Sequence, residues 1–377
     1  VSVIVNTNIS AITAKRYLDK STDGLNKSME RLSSGYRINK AKDDAAGLQI
    51  SNRLMAQTRG LDVATRNANE GLSMMQIAEG AMSETTHILT RMRDLSIQSA
   101  NGSNNDGDRE TIQNEIKSLK DEMNRIAETT SFGGMKLLNG QFIERAFQVG
   151  ADSGEAVLLS LTNMRADERE MGGRLYTSDS KQDSDWTVSE DNRELFIFYV
   201  DQNAKPHGIS ITAPAGDDIE ELATYINGQS DKLDASVTEE GRLQVYVKER
   251  DVPEMLTFSG SLADELGMAG GDLETVQDVD VSTVGGAQRA IAIMDSAIKY
   301  VDMHRAEVGA AQNRMLHSVT NLANMNENVS DSRSQIKDLD FAKESTEMTK
   351  QKIKQEAGTS MLAQAKQAPS AAVGLLG

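Results

Sequence analysis

The chain has 377 residues, long for a single hydrophobic core, so two or three domains are expected. Hydrophobic residues make up 38% and aromatics 4%, both low for a compact globular protein, which points to long helices with narrow apolar seams. A net charge of −17 with no Lys/Arg block excludes a nucleic-acid-binding face, and the lack of cysteine excludes disulfides and thiolate-bound metals.

No run approaches 18 apolar residues, so no membrane-crossing helix is expected. The opening VSVIVNTNIS is short and has no basic flank. The chain therefore reads as cytosolic, or as exported by a route without a cleaved signal.

Taken in chain order, Leu18, Leu25 and Leu32 repeat every seven residues, with Met29 beside them. This seam is too thin to stabilise an isolated helix. Asp43-Asp44 before Ala45-Ala46 is a helix start, with negative charge at the positive end of the helix dipole. A longer seam follows at Leu54, Leu61, Ala68, Met75, Met82 and Leu89, with Ala64, Ala78 and Met92 on the adjoining row. Asn101–Gly107 predicts a turn between antiparallel helices, with Asp106 or Asp108 capping the second. Ile112, Ile116, Leu119, Met123 and Ile126 then keep a 4-3-4-3 spacing.

After Thr130 the pattern changes. SFGGMKLLNGQF carries paired glycines and an Asn-Gly, a hairpin signal. Short strands are predicted at 147–149 and 157–161. Three of the four prolines, Pro206, Pro214 and Pro253, fall in one central stretch; the fourth is Pro369. That stretch, roughly 175–278, reads as a separate α+β module. Its strands are predicted at 194–201, 208–212, 235–238 and 243–248, and its helix at 217–227, capped by Asp217 or Asp218. The only tryptophan, Trp186, lies within it. Beyond it the seven-residue repeat returns at Val301, Val308, Met315, Leu322 and Val329, with Met294 and Ile298 upstream. Met348, Met361 and Leu362 are apolar points in a polar last helix, which holds Gly358 at a cost of about 1 kcal/mol relative to Ala.

The fold class is therefore mainly α with a β-containing insertion. Both termini form a long antiparallel coiled coil or helical bundle, with a β-hairpin region and a central α+β domain. Coiled-coil-like seams of this length exceed an ordinary amphipathic helix. The ends need a partner, whether each other, the rest of the chain or another copy.

No catalytic or cofactor chemistry is marked. His87, His207, His304 and His317 lack metal-ligand spacing, and no phosphate loop or nucleophile elbow is present. The 18 methionines suit a seam that tolerates shifted packing.

Several segments carry a specific resemblance. ERLSSGYRINKAKDDAAGLQISNRL (30–54), RNANEGLSMMQIAEGAM (66–82), LTRMRDLSIQSANGSNND (89–106) and RIAETTSFGGMKLLNG (125–140) resemble the bacterial flagellins, filament subunits. So do VGGAQRAIAIMDSAIKYVDMHRAEVGAAQNRM (284–315) and the segment 330–365. The central IEELATYINGQSDKLDASVTEEGRLQVYV is similar to a motif inserted in many of them. The whole chain is most similar to polar flagellins of Vibrio-like bacteria, often sheathed and multi-copy.

The resemblance implies three divisions: residues 1–44 with 333–377 as an inner core, 45–175 with 279–332 as a helical bundle with a β-hairpin, and 176–278 as a surface-exposed variable domain. It implies polymerisation through Leu18, Leu25, Met29, Leu32, Met348, Met361 and Leu362. It also implies bundle packing through Leu54, Leu61, Met75, Met82, Leu89, Ile116, Leu119, Met123, Val301, Val308, Met315 and Leu322. Ser131, Phe132, Gly133 and Gly134 would be a conformational switch.

Arg91, Leu95, Gln98 and Glu115 match the family's contact surface for the vertebrate Toll-like flagellin receptor. The other partners implied are further copies of the chain, an export chaperone at the C-terminal helix, the filament cap, hook-junction proteins and an outer-membrane sheath. Localisation would be extracellular, after type III export. Two competing readings share the helical ends: an enzyme displayed on a filament, disfavoured by the lack of a metal-ligand cluster in the insert, and a hook-filament junction protein.

Overall fold

The computed structural model describes residues 7–374 apart from 153, 184, 231 and 254; the N-terminal stretch VSVIVN lies outside them. The chain packs as two compact units. The first comprises residues up to Arg66, Val149–Glu155 and residues from Val319 on; the second comprises Asn67–Gln148 and Ala156–Ser318. Of their four limits along the chain, 66/67 and 318/319 fall inside continuous helices, whereas the three-part division breaks at 44/45, 175/176, 278/279 and 332/333.

Helix α1 (Ile9–Ser34) starts where the Asn8 side chain accepts the Ala11 N–H at 2.9 Å, and stops at Gly35, whose φ of 75° takes the chain left-handed. Helix α2 (Ala45–Ala100) is 56 residues long, and Asp44 accepts the Gly47 N–H at 2.9 Å, so the Asp-Asp start signal is used as expected.

Helix α3 (Asp106–Thr129) has Asn105 as its N-cap in place of the aspartates the sequence suggested, with Asp108 as its capping-box partner and Asp106 taking no part. The Asp108 N–H donates to the Asn105 side-chain oxygen while the Asn105 N–H donates to the Asp108 carboxylate. Asn reaches that N–H from outside the helix, whereas Asp106 is already its first residue. Buried Arg109 then donates to the carbonyls of Ser99, Asn101 and Asn104, placing its charge at the negative end of α2.

Strands β1 (Ser131–Phe132) and β2 (Met135–Lys136) form a tight hairpin turned by Gly133 and Gly134, both at positive φ. The paired glycines supply the turn. Asn139-Gly140, the other signal, lies beyond it. Strands β3 (Arg145–Gln148) and β4 (Ala156–Leu159) pair antiparallel.

The module in the second unit holds two sheets. In strand order one runs 268–274, 173–178, 243–248, 233–237 and the other 257–259, 194–200, 206–212. Of these, β6 (Glu194–Val200), β7 (Pro206–Thr212), β8 (Leu233–Val237) and β9 (Leu243–Lys248) match sequence expectations within two residues, as does α4 (Ile219–Gln229), capped by Asp218 with Glu221. Strands β5 (Gly173–Ser178), β10 (Thr257–Ser259) and β11 (Met268–Glu274), and helix α5 (Ser261–Leu266), were not anticipated. Leu195, Ile197, Leu222, Ile226, Val245 and Val247 are central to one buried core there.

Helices α6 (Val284–Lys337) and α7 (Phe341–Gly374) complete the chain. In the second unit, α2 and α6 run antiparallel. Contacts step from Gln312–Glu79 at 2.9 Å to Arg93–Asp295 at 2.6 Å. Met75, Met82, Leu89, Ile116, Met123, Val301, Val308 and Met315 are all buried there, and Leu119 is half-buried. In the first unit, Leu61, Ala64 and Leu322 form a small cluster with Val329 against it, Leu54 is half-buried, and the Asn326 amide donates to Asp62 at 2.7 Å.

Candidate polymerisation interface

The candidate site is the α1–α7 pair of the first unit. The helices run antiparallel. The Asn8 amide donates to the Ala365 carbonyl at 2.7 Å, the Gln355 amide donates to the Thr22 hydroxyl at 3.2 Å, and Arg31 faces Glu344 at 3.5 Å. At one end the two elbows pair as backbone. The Arg37 N–H donates to Lys337 O at 2.8 Å, the Leu339 N–H donates to Gly35 O at 3.0 Å, and the Arg37 guanidinium reaches Ile336 O at 2.6 Å. The Lys337 ammonium sits 4.3 Å over the Tyr36 ring.

The residues at the seam explain why it is weak. On α1 the inward positions are Leu18, Ser21, Leu25, Ser28 and Leu32, a 3-4-3-4 repeat in which buried serines alternate with half-buried leucines. Opposite them, Met348 and Leu362 are half-buried, but Glu344, Gln351 and Gln355 share their face. A seam that is half polar buries little apolar surface for its length. Gly358 lies against Leu18, and a methyl group there would stand 3.6 Å from it, in ordinary contact.

Two predicted seam residues do not face the partner helix. Met29 is 47% exposed and Met361 is 65% exposed. Ile9, Ile12, Tyr17, Phe341 and Ile353 join them as large exposed apolar side chains that sequence reasoning missed. For Ile9, Ile12, Tyr17 and Ile353 the missed signal is the off-seam register, since they lie off the seven-residue rows of Leu18 and Met348; Phe341 stands seven residues before Met348 on that row, yet is left exposed at the start of its helix.

Electrostatics fix the α1–α2 connection. Lys27 hydrogen-bonds Asp43 at 3.0 Å, and the N–H groups of Lys40 and Asn39 also point at that carboxylate. Together they hold its pKa down at about 2. Glu30 pairs with Lys40 at 2.6 Å and pushes that ammonium's pKa up.

In the second unit, the hairpin residues Ser131, Gly133 and Gly134 are exposed and Phe132 is half-buried. Of the residues expected on a receptor surface, Arg91, Gln98 and Glu115 are exposed, and Arg91 donates twice to Glu115, at 3.0 and 2.7 Å. Leu95 corrects the expectation: it is 2% exposed and packs inward beside Met92, with its side chain off that surface. Three- to four-residue spacing spans a wide arc, and Leu95 falls on its buried edge. No helix among the described residues is long and apolar enough to cross a membrane, and no group of three or more metal-ligating side chains is found among them.

Paired helical chain ends that leave large apolar side chains in water, carried with a buried bundle and an inserted module, define a structural subunit built for association. Comparison with known proteins names the family. The description of the bacterial flagellin N-terminal helical region matches residues 5–142, that of the C-terminal helical region residues 291–376, and the flagellin hook IN motif residues 195–248. The chain is 59% identical to "Flagellin D" of Vibrio anguillarum and 57% identical to "Polar flagellin A" of Vibrio parahaemolyticus, each over 376 residues and the full length of both chains. FliC of Burkholderia pseudomallei superposes on 65% of this chain and 99% of its own, with a TM-score of 0.39 at 24% identity. The chain belongs to the bacterial flagellins, the structural subunits of the flagellar filament.

Proposed function

We propose that this chain polymerises through α1 and α7 into the filament that drives swimming, and acts there as a structural part and not as a catalyst. The carrying observation is the set of large apolar side chains on the α1–α7 pair that the chain itself leaves uncovered. Ile9, Ile12, Tyr17, Met29, Phe341, Ile353 and Met361 remain in water. Each gains on the order of 1 kcal/mol when a neighbouring copy covers what it still exposes. The half-polar seam between the two helices barely offsets about 1–2 kcal/mol of backbone entropy per ordered residue. The pair is therefore completed by other copies. Contacts between non-identical patches do not close on themselves, so they propagate as an open helix.

In this reading residues 1–44 with 333–377 line the filament interior, 45–175 with 279–332 form the next shell, and 176–278 face outward. Weakly held ends also suit passage, unfolded, through the type III export apparatus. The exposed apolar points of α7 offer a hold for an export chaperone. The same end helices would meet the filament cap and the hook-junction proteins, and similarity to Vibrio flagellins supports an outer-membrane sheath. The hairpin at Ser131–Gly134 would serve as the switch, since two successive glycines at positive φ can change backbone state at low cost. Electron microscopy of the purified chain under precipitating salt tests the reading. Straight or coiled fibres are expected; a chain that stays monomeric would refute it.

A second reading rests on the ion-paired ridge of Arg91 and Glu115 with Gln98 beside it, which presents a fixed polar surface for a vertebrate Toll-like receptor. Arg91→Ala should weaken capture of the monomer by the receptor ectodomain. An unchanged affinity would remove this reading.

A further inference from the structure

The methionines of the two units differ in exposure, although the second unit also carries exposed Met135 and Met255 and half-buried Met268 and Met303. Those of the first unit are Met29, Met55, Met325, Met348 and Met361, and every one is at least partly open to water. In the second unit Met74, Met75, Met82, Met92, Met294 and Met315 are wholly buried. With no cysteine in the chain, the thioethers are its principal sites for two-electron oxidants.

We infer that Met29 and Met361 are oxidation sites that gate assembly, their conversion to sulfoxide by a peroxide halting filament growth. The inference rests on the polymerisation reading above. Both side chains stand on the α1–α7 pair, away from its internal seam, where neighbouring copies would cover them. In the reaction the thioether sulfur attacks one peroxide oxygen. The O–O bond breaks as the S–O bond forms, and the sulfur-bound hydroxyl passes its proton to the departing hydroxide. Sulfoxide and water result, with sulfur oxidised by two electrons and the peroxide reduced by two. The product replaces a flexible apolar group with a strong dipole that needs hydrogen-bond partners. At a surface awaiting burial that change opposes association. The fully buried methionines of the second unit escape because the peroxide cannot reach them.

The test treats the unassembled full-length chain with hydrogen peroxide, maps sulfoxides by peptide mass spectrometry and follows elongation by light scattering. Met361 and Met29 should be modified well before Met75, Met82 and Met315. The oxidised chain should elongate roughly tenfold more slowly, as expected for a polar group entering a buried contact. Methionine sulfoxide reductase should restore growth. The double variant Met29→Leu, Met361→Leu should elongate at its untreated rate after the same exposure.

Oxidised wild-type chain growing at full speed, or a reductase-treated chain that stays arrested, would overturn the inference. An untreated chain that never forms fibres would overturn the polymerisation reading itself. Preformed filaments separate the two. Met255, 61% exposed on the module, should oxidise equally in monomer and filament, while Met29 and Met361 should be protected in the filament. Loss of that protection would count against polymerisation. Protection combined with unimpaired growth of oxidised chains would count against the oxidation gate alone.

Discussion

The α1–α7 pair and the α2–α6 bundle are both antiparallel helices with seven-residue repeats, yet they stand at opposite ends of self-sufficiency. In the bundle the repeat positions are filled by Met75, Met82, Leu89, Val301, Val308 and Met315, and all are buried. In the end pair the same spacing alternates leucine with serine on one helix, and on the other it mixes Met348 and Leu362 with Glu344, Gln351 and Gln355. Periodicity alone thus says that a helix has a face. The chemistry at each repeat position decides whether that face is satisfied within the chain. Charge divides the molecule as well. Residues 172–283 hold 24 acidic and 8 basic side chains, so −16 of the net −17 sits on and beside the module and the helical arms are close to neutral. Near-neutral arms can approach copies of themselves, while the acidic modules repel one another.

The contrast can be broken most forcefully in the cores. Leu89→Ala should destabilise the chain by about 3 kcal/mol in urea unfolding, as expected for a fully buried leucine. Leu25→Ala, at a half-buried site, should cost less than about 1 kcal/mol in the unassembled chain, yet slow elongation strongly. Equal losses in stability would remove the distinction between the two helix pairs.

A smaller effect is expected at the turn. Asn105→Ala removes the capping box and should cost about 1 kcal/mol, read as a lowered midpoint of thermal unfolding. Asp106→Ala should leave that midpoint nearly unchanged.

Acid sharpens the comparison by giving each unit its own reporter. In the first unit Asp43 titrates at about 2 because of Lys27. In the module Asp201 also titrates at about 2, through the N–H groups of Lys205 and Asn203 and the His207 ring. Both lie below the roughly 3.9 of an unstructured aspartate. The folded state therefore holds fewer protons, and the stability these groups lend is complete above about pH 4 and lost as pH falls through 2. NMR titration should find both carboxylates depressed, and Lys27→Ala should raise Asp43 alone.

The smallest effect expected is a gain. Gly358→Ala should add up to about 1 kcal/mol to the end pair, since a methyl group there meets Leu18 at contact distance. Destabilisation instead would show that Gly358 is held for close approach to something beyond α1.

Much of this was legible in the sequence. Long seams announce α2, α3 and α6 because their repeat positions, buried or half-buried, form an unbroken apolar row. The strands β6 to β9 are apolar runs bounded by turn residues. What the sequence hid has physical causes. Strand β11, MAGGDLE, carries two glycines at a bulge and only two large apolar residues, so it has no alternation to detect. Strand β5 opens on a glycine whose added side chain would collide with the Val247 carbonyl. At the candidate site, Leu18, Leu25 and Leu32 were evident, but their role within the pair depended on Ser21 and Ser28, which no hydrophobic pattern reports. Leu95 was placed on an outer surface by the family resemblance, and only packing shows that it turns inward.

The decisive experiment removes residues 1–40 and 338–377 and examines the remaining chain by electron microscopy under fibre-forming salt, with circular dichroism to verify that the bundle survives. A folded, monomeric core that grows no fibres is the outcome required if the chain ends carry assembly. Fibres grown from that trimmed core would contradict it.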